Sequence, residues 1–310
     1  MTKIGATSID VFPLCLGGNV FGWTSDEEQS FAVLDAYAAA GGNFIDTADA
    51  YSSWVPGNVG GESETILGRW MAARGNRDRM VIATKVGKLE GRTGLSAETI
   101  RAAADDSLRR LGTDRIDLYY AHADDPQTPL PETLRAFDGL VREGKVRHIA
   151  ASNYTEPRLS EALAVSQREG FARFVALQPH YNLVRRDKYE GALADLCVRE
   201  GLACFPYYAL AAGFLAGKYR PGVKVESVRA GGAGKYLDEK GLRVLATLDA
   251  IAAHRGTNVA AVSLAWLLTR PAVVAPIASA RTPEQLAEIL PAVSLHLSEE
   301  ERKNLDDASA

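Results

Sequence analysis

At 310 residues, with 46% hydrophobic and 24% charged residues, the chain has the balance of a globular protein able to bury a sizeable core. Its net charge of -4 and its lack of any lysine/arginine block argue against a nucleic-acid partner. The opening "MTKIGATSIDVFP" lacks a signal-peptide apolar run, and the longest uncharged apolar segment, "VAAVSLAWLL", ends at Thr269-Arg270-Pro271, too short for a membrane span; a cytoplasmic location without membrane association is expected.

In chain order, "IGATSIDVFPLCLGGN" reads as a short hairpin ahead of the first barrel strand, placed to cover one end of the fold. Seven β-like runs follow: "NFIDTA", "MVIATKV", "RIDLYYAH", "VRHIAASN", "FVALQPHYN", "LACFPYY" and "VVAPIA". From the third to the sixth they recur at roughly 30 residues, the length of a strand with its crossover helix. Most are near-continuously apolar, as strands covered on both faces are. The pattern is α/β.

Helix signals fill the gaps. In "LSAETIRAAADDSLRRLG", Ser96 is a natural N-cap, Ile100, Ala103, Ala104, Leu108 and Leu111 share a face, and Gly112 provides the stop. "EPRLSEALAVSQREG" and "RDKYEGALADLCVREG" repeat the design. With no Pro/Ser/Gly-rich linker, residues 1–310 read as one domain. The segment 219–241 is glycine-rich, charged and aperiodic, and is expected to form a long mobile loop near the catalytic face.

Cys15, Cys197 and Cys204 have no Cys-x-x-Cys spacing and read as buried reduced thiols. No metal site is expected: there is no His-Glu-x-x-His and no cysteine cluster. "GGAGK" is followed by Tyr236 where a phosphate loop needs Ser or Thr, and "GGNVFG" has the wrong spacing for a doubly wound dinucleotide fold.

In a parallel barrel, chemistry sits where strands end. Asp46 and Tyr51 follow "NFI", Lys85 ends "MVIAT" and His122 ends "RIDLYYA", so four titratable groups from three consecutive strands converge on one rim. Buried Asp46 and Lys85 would satisfy each other's charge. The Lys85 ammonium is expected to lower the phenol pKa of Tyr51 from about 10, making it a general acid. His122 would hold and orient the substrate oxygen. Lys85 could instead serve as a Schiff-base nucleophile in a lyase or aldolase, although Asp46 beside it argues for a charged lysine.

These segments resemble the aldo-keto reductase superfamily, in particular its bacterial-type NADP-dependent oxidoreductases, along essentially the whole chain. "GGNFIDTADAY", "IATKVG" and "YYAH" are similar to the family's signature, lysine and histidine segments, and match its Asp-Tyr-Lys-His tetrad at Asp46, Tyr51, Lys85 and His122. The resemblance implies a (β/α)8 TIM barrel that binds NADPH or NADP+ in extended form and reduces aldehydes and ketones reversibly; NADH is the less favoured cofactor. It also implies cofactor contacts. Asn19, Asp46, Ser152, Asn153 and Gln178 would surround the nicotinamide, with Tyr207 flat against its ring. Tyr208, Leu210, Ala212, Gly213 and Lys218 would lie along the pyrophosphate. Ile277, Ser279, Arg281, Gln285 and Glu288 would take the adenosine end, Arg281 pairing with the 2′-phosphate.

Departures from the family pattern occur at Ser279, Ile289 and Tyr208-Ala209. Phe21, Trp23 and Trp54, with Tyr51 and His122, are expected to line an aromatic substrate pocket. Some members of the superfamily are redox-sensing accessory subunits with slow turnover, and the resemblance leaves that role open.

Overall fold

The computed structural model describes residues 1–228 and 230–310. A two-stranded hairpin opens the chain, β1 (Thr2–Lys3) against β2 (Asp10–Val11). The first barrel strand is β3 (Cys15–Gly17), which lies inside the stretch expected to be hairpin alone. Three residues are too few to show a period, so the hairpin hid it. The rim strands β4 (Phe44–Asp46) and β5 (Val81–Val86) come next. A second hairpin, β6 (Lys88–Leu89) with β7 (Arg92–Thr93), precedes β8 (Ile116–Ala121), β9 (Val146–Ser152), β10 (Phe174–Gln178), β11 (Ala203–Cys204) and β12 (Ile277–Ala278).

The eight-stranded sheet runs β11-β10-β9-β8-β5-β4-β3-β12, every neighbouring pair parallel. It closes across its ends: Val274 N–H donates to Cys204 O at 3.0 Å and Ile277 N–H to Pro206 O at 2.8 Å. The result is the expected (β/α)8 barrel, its strands in sequence order around the ring.

Side chains alternate between two cores, as the pleat requires. Cys15, Phe44, Val81, Ala83, Leu118, Tyr120, Ala150, Ala176, Ala203 and Phe205 fill the barrel interior, and Ile4, Ile9 and Val11 of the first hairpin plug its lower end. Ile45, Ile82, Tyr119, Ile149 and Leu177, from the opposite face of the same strands, join the outer core beneath the helices.

The helices follow their local signals. Ser96 accepts from Thr99 N–H and Gly112, at φ 61°, ends the helix Ala97–Leu111. Gly170, at φ 68°, closes Glu156–Glu169. The helix expected from "RDKYEGALADLCVREG" begins only at Ala192, because Gly191, at φ 86° and ψ -137°, breaks the backbone before it. Within 219–241 a short helix, Ala230–Gly234, stands where a loop was expected, and Arg229 of that segment lies outside the described residues. All three cysteines are free and buried. Among the described residues no helix is long and apolar enough to cross a membrane, and no His/Cys/Asp/Glu cluster could hold a metal.

Candidate active site

Asp46, Lys85, His122, Ser152, Gln178, Tyr207 and Ser279 all fall on the inward-facing alternation of their strands, two or four residues beyond an interior core side chain. Period two therefore selects them for the rim of the cavity. The chain after β4 keeps to β5 for three residues, Thr47 N–H donating to Ala83 O and Asp49 N–H to Lys85 O. It then turns back through the Tyr51 N–H bond to Ala48 O. Ser52, at φ 69°, holds the turn by donating its hydroxyl to Phe21 O at 2.8 Å, and Asn58 donates to both Ser52 O and Gly22 O. Thus Tyr51 is delivered to the rim.

Lys85 is fully buried, and its Nζ makes three contacts: Asp46 Oδ2 at 2.6 Å, Thr47 O at 2.8 Å and the Tyr51 hydroxyl at 2.8 Å. Three ammonium protons meet three acceptors. The Tyr51 hydroxyl in turn donates to Asp46 Oδ2 at 3.1 Å, while Gln178 Nε2 donates to Asp46 Oδ1 at 2.9 Å. A further chain runs outward: Tyr207 OH donates to Asn153 Oδ1, Asn153 Nδ2 to Ser152 Oγ, and Ser152 Oγ to Gln178 O. Asn153, at φ 58°, also donates to His122 O.

The electrostatics correct one expectation. Burial pushes the Tyr51 phenol well above its ordinary pKa, with Asp46 adding to the rise. The reason is a charge balance: Asp46 and Lys85 already neutralise each other, so ionising Tyr51 would leave a net negative charge without water. Burial lowers the Lys85 pKa, while Asp46 opposes the fall. Burial, with Lys85 and Lys88 nearby, holds His122 well below its ordinary value, so its imidazole is neutral.

These groups open onto a cleft of about 880 Å3. Asp46, Tyr51, His122, Trp54, Asn19, Ser152, Asn153, Gln178 and Tyr207 line one end. Tyr208, Leu210, Ala212, Gly213 and Lys218 line it further along, as do Ile277, Ser279, Arg281, Gln285 and Glu288. Ser279 Oγ donates to Asn19 Oδ1 at 2.5 Å, tying β12 to the loop after β3. Gln285 Oε1 accepts from the Arg281 backbone N–H at 3.0 Å, and the Arg281 guanidinium, on the cleft lining, forms no ion pair among the described residues.

Two of the expected pocket residues are elsewhere. Phe21 is fully buried in the outer core, and its part is to accept the Ser52 hydroxyl through its carbonyl. Trp23 is not on the lining; it packs edge-to-face on Trp54 at 5.5 Å and so supports the one tryptophan that is. Lys88, Ser53 and Thr24 line the cleft and were missed, as were Ser227 and Val228 from the 219–241 segment. Lys88 sits three residues after Lys85 on the tight hairpin β6–β7, a spacing that offered a signal; the others had none.

A closed parallel barrel with a lysine-aspartate pair seated beneath a tyrosine hydroxyl at its C-terminal rim defines the class of protein. The chain belongs to the aldo/keto reductase family, whose model matches residues 13–310, and membership makes it an oxidoreductase. It is similar to norsolorinic acid reductase B of Aspergillus parasiticus, 34% identical over 98% of this chain and 82% of that protein. It is 35% identical to the uncharacterized oxidoreductase YrpG of Bacillus subtilis, over 99% of this chain and 94% of the relative. Aryl-alcohol dehydrogenase (NADP(+)) of Phanerodontia chrysosporium is 32% identical over 96% of this chain and 83% of its own. Fungal and bacterial relatives stand equally near, so the comparison does not favour a bacterial type.

Proposed function

We propose that the protein is an NADPH-dependent carbonyl reductase, converting aldehydes or ketones to alcohols reversibly. The observation that carries this reading is the Lys85 ammonium bridging Asp46 Oδ2 and the Tyr51 hydroxyl at the wall of a cleft.

The cleft's size, at the upper end of the range for ligand sites, suits a dinucleotide. Its chemistry fits too, since Arg281 and Lys218 offer phosphate-binding cations that form no ion pair among the described residues. Ser152, Asn153 and Gln178 offer polar groups to a carboxamide, Asn19 and Ser279 lie beside them, and Tyr207 offers a flat ring. Tyr208, Leu210, Ala212 and Gly213 would follow the pyrophosphate, and Ile277, Gln285 and Glu288 the adenosine. When bound, the reduced nicotinamide supplies hydride.

The chain's own residues handle the oxygen. Neutral His122 donates a hydrogen bond that orients the carbonyl, and Tyr51, kept protonated by its surroundings, gives up its proton as charge develops on oxygen. Lys85 then faces a phenolate that it stabilises through a bond already in place, while Asp46 keeps the lysine charged. With its three protons engaged, Lys85 is badly placed for Schiff-base chemistry, and borohydride trapping with a carbonyl compound should give no adduct. The aryl-alcohol dehydrogenase relative, whose name carries NADP(+), supports both the cofactor and an aromatic substrate. Following NADPH and NADH absorbance against a panel of aldehydes, ketones and sugars tests the reading; no oxidation of either cofactor with any of them would overturn it.

A further inference from the structure

We propose that the substrate end of the cleft selects carbonyl compounds carrying an anionic group, a carboxylate or an ionised phenol on an aromatic ring, and that Lys88 binds that group. The inference rests on the carbonyl-reductase reading and adds the substrate class.

Lys88 opens the hairpin that follows β5, paired with Thr93 across it. The hairpin base is closed by Gly94 N–H donating to Gly87 O at 3.0 Å, and Leu95 N–H donates to Asp125 Oδ2 at 2.8 Å. The backbone of Lys88 is therefore anchored to the loop after β8. Its side chain lines the cleft with Tyr51, His122 and Trp54, and it forms no ion pair among the described residues.

Among the carboxylates near this end, Asp49 is buried off the lining and holds its proton up to about pH 7, and the others are engaged or turned away. Asp46 is matched by Lys85 and Gln178, Asp124 by Arg158 at 3.0 Å, and Asp125 by Leu95 N–H, Gln127 N–H and the Thr128 hydroxyl. Glu90, at the hairpin tip, is not on the lining. Among the described residues, with Asp46 and Lys85 cancelling and His122 neutral, Lys88 leaves an uncompensated positive charge at the proposed substrate end. Lys88 is itself exposed, so its ammonium stands at the open edge of the cleft, where a ligand can reach it. An anion brought to it gains charge complementarity that steers and orients the substrate. Lys218 and Arg281, the other lining cations that form no ion pair among the described residues, belong to the stretch proposed for the cofactor's phosphates. Trp54, 50% exposed, supplies the flat apolar face for an aromatic ring between the reacting carbonyl and Lys88.

The test compares 4-formylbenzoate with benzaldehyde, as kcat/KM with NADPH, in the wild type, Lys88→Met and Lys88→Glu. The wild type should favour the anionic aldehyde, Lys88→Met should cut that ratio about fivefold or more, and Lys88→Glu should reverse it. Added salt should narrow the wild-type preference. Calorimetric binding of 4-(hydroxymethyl)benzoate against benzyl alcohol, with and without NADP+, reads the same discrimination without turnover. A ratio that Lys88→Met leaves unchanged in both assays overturns the anion site. If neither aldehyde is reduced while binding still depends on Lys88, the reductase reading falls and the anion site stands.

Discussion

Gln178 donates its Nε2 hydrogen to Asp46 Oδ1 at 2.9 Å across 132 residues of chain, from the end of one barrel strand to the end of another. The other carboxylate oxygen of Asp46 receives Lys85 and Tyr51, so both oxygens of a nearly inaccessible group are occupied. Gln178 is thus part of what fixes the catalytic charge pair, besides standing beside the proposed carboxamide site.

Replacing Gln178 by leucine strips Asp46 Oδ1 of its donor where water cannot replace it. Unfolding in urea should show a loss of about 1 to 3 kcal/mol, the cost of an unsatisfied buried acceptor. Stability equal to the wild type would mean that Asp46 does not need this bond.

Tyr51→Phe removes the proposed proton donor, and with it one contact of Lys85 and one of Asp46, while leaving their direct 2.6 Å ion pair. Turnover should fall at least about 10²-fold, while NADPH still quenches protein fluorescence with near-normal affinity. Near-normal turnover would take the role away from Tyr51.

Arg281→Ala should weaken NADPH about tenfold or more and NADH far less, since only NADPH offers the 2′-phosphate to the guanidinium. Fluorescence titration with both cofactors decides. Equal weakening would remove the phosphate contact.

Asp49 gives a stability signature. It is fully buried with no well-aligned donor at either carboxyl oxygen, and burial, followed by the charge of Glu64, raises its pKa from 3.8 to about 7. A raised value means that the folded state holds the proton more tightly than the unfolded chain. Stability from this group is complete below pH 3.8 and is lost progressively as pH climbs to about 7, after which the loss is constant. At about 1.4 kcal/mol per pH unit, that interval bounds the loss at about 4 kcal/mol. Asp49→Asn mimics the protonated form, so its melting temperature should gain on the wild type as pH is raised from 4 to 8. A constant difference across that range would show that Asp49 ionises freely in the folded protein.

Much of this was legible in order along the chain. Seven of the eight barrel strands announce themselves as apolar runs, and Asp46, Lys85 and His122 stand out because polar residues end them. The eighth, Cys15–Gly17, escaped because three residues beside a hairpin show no period. The pocket aromatics were the weakest part: "FGW" and "SSW" place Phe21, Trp23 and Trp54 on rim loops, yet loop position does not say which way a ring points. Only packing sent Phe21 into the core and set Trp23 edge-to-face against Trp54.

Local sequence determined the barrel, because hydrophobic periodicity, helix caps and glycine stops act over a few residues and need no distant partner. It also determined which ionisable groups reach the rim, since strand ends and alternation place them there. Tertiary structure decided what those groups do to one another. Whether Lys85 acidifies Tyr51 or merely balances Asp46 depends on burial and on distances of 2.6 and 2.8 Å to residues 39 and 34 positions away in the chain. Coulomb energy and desolvation turn on such spacing and on the absence of water, and neither is written in the order of the residues.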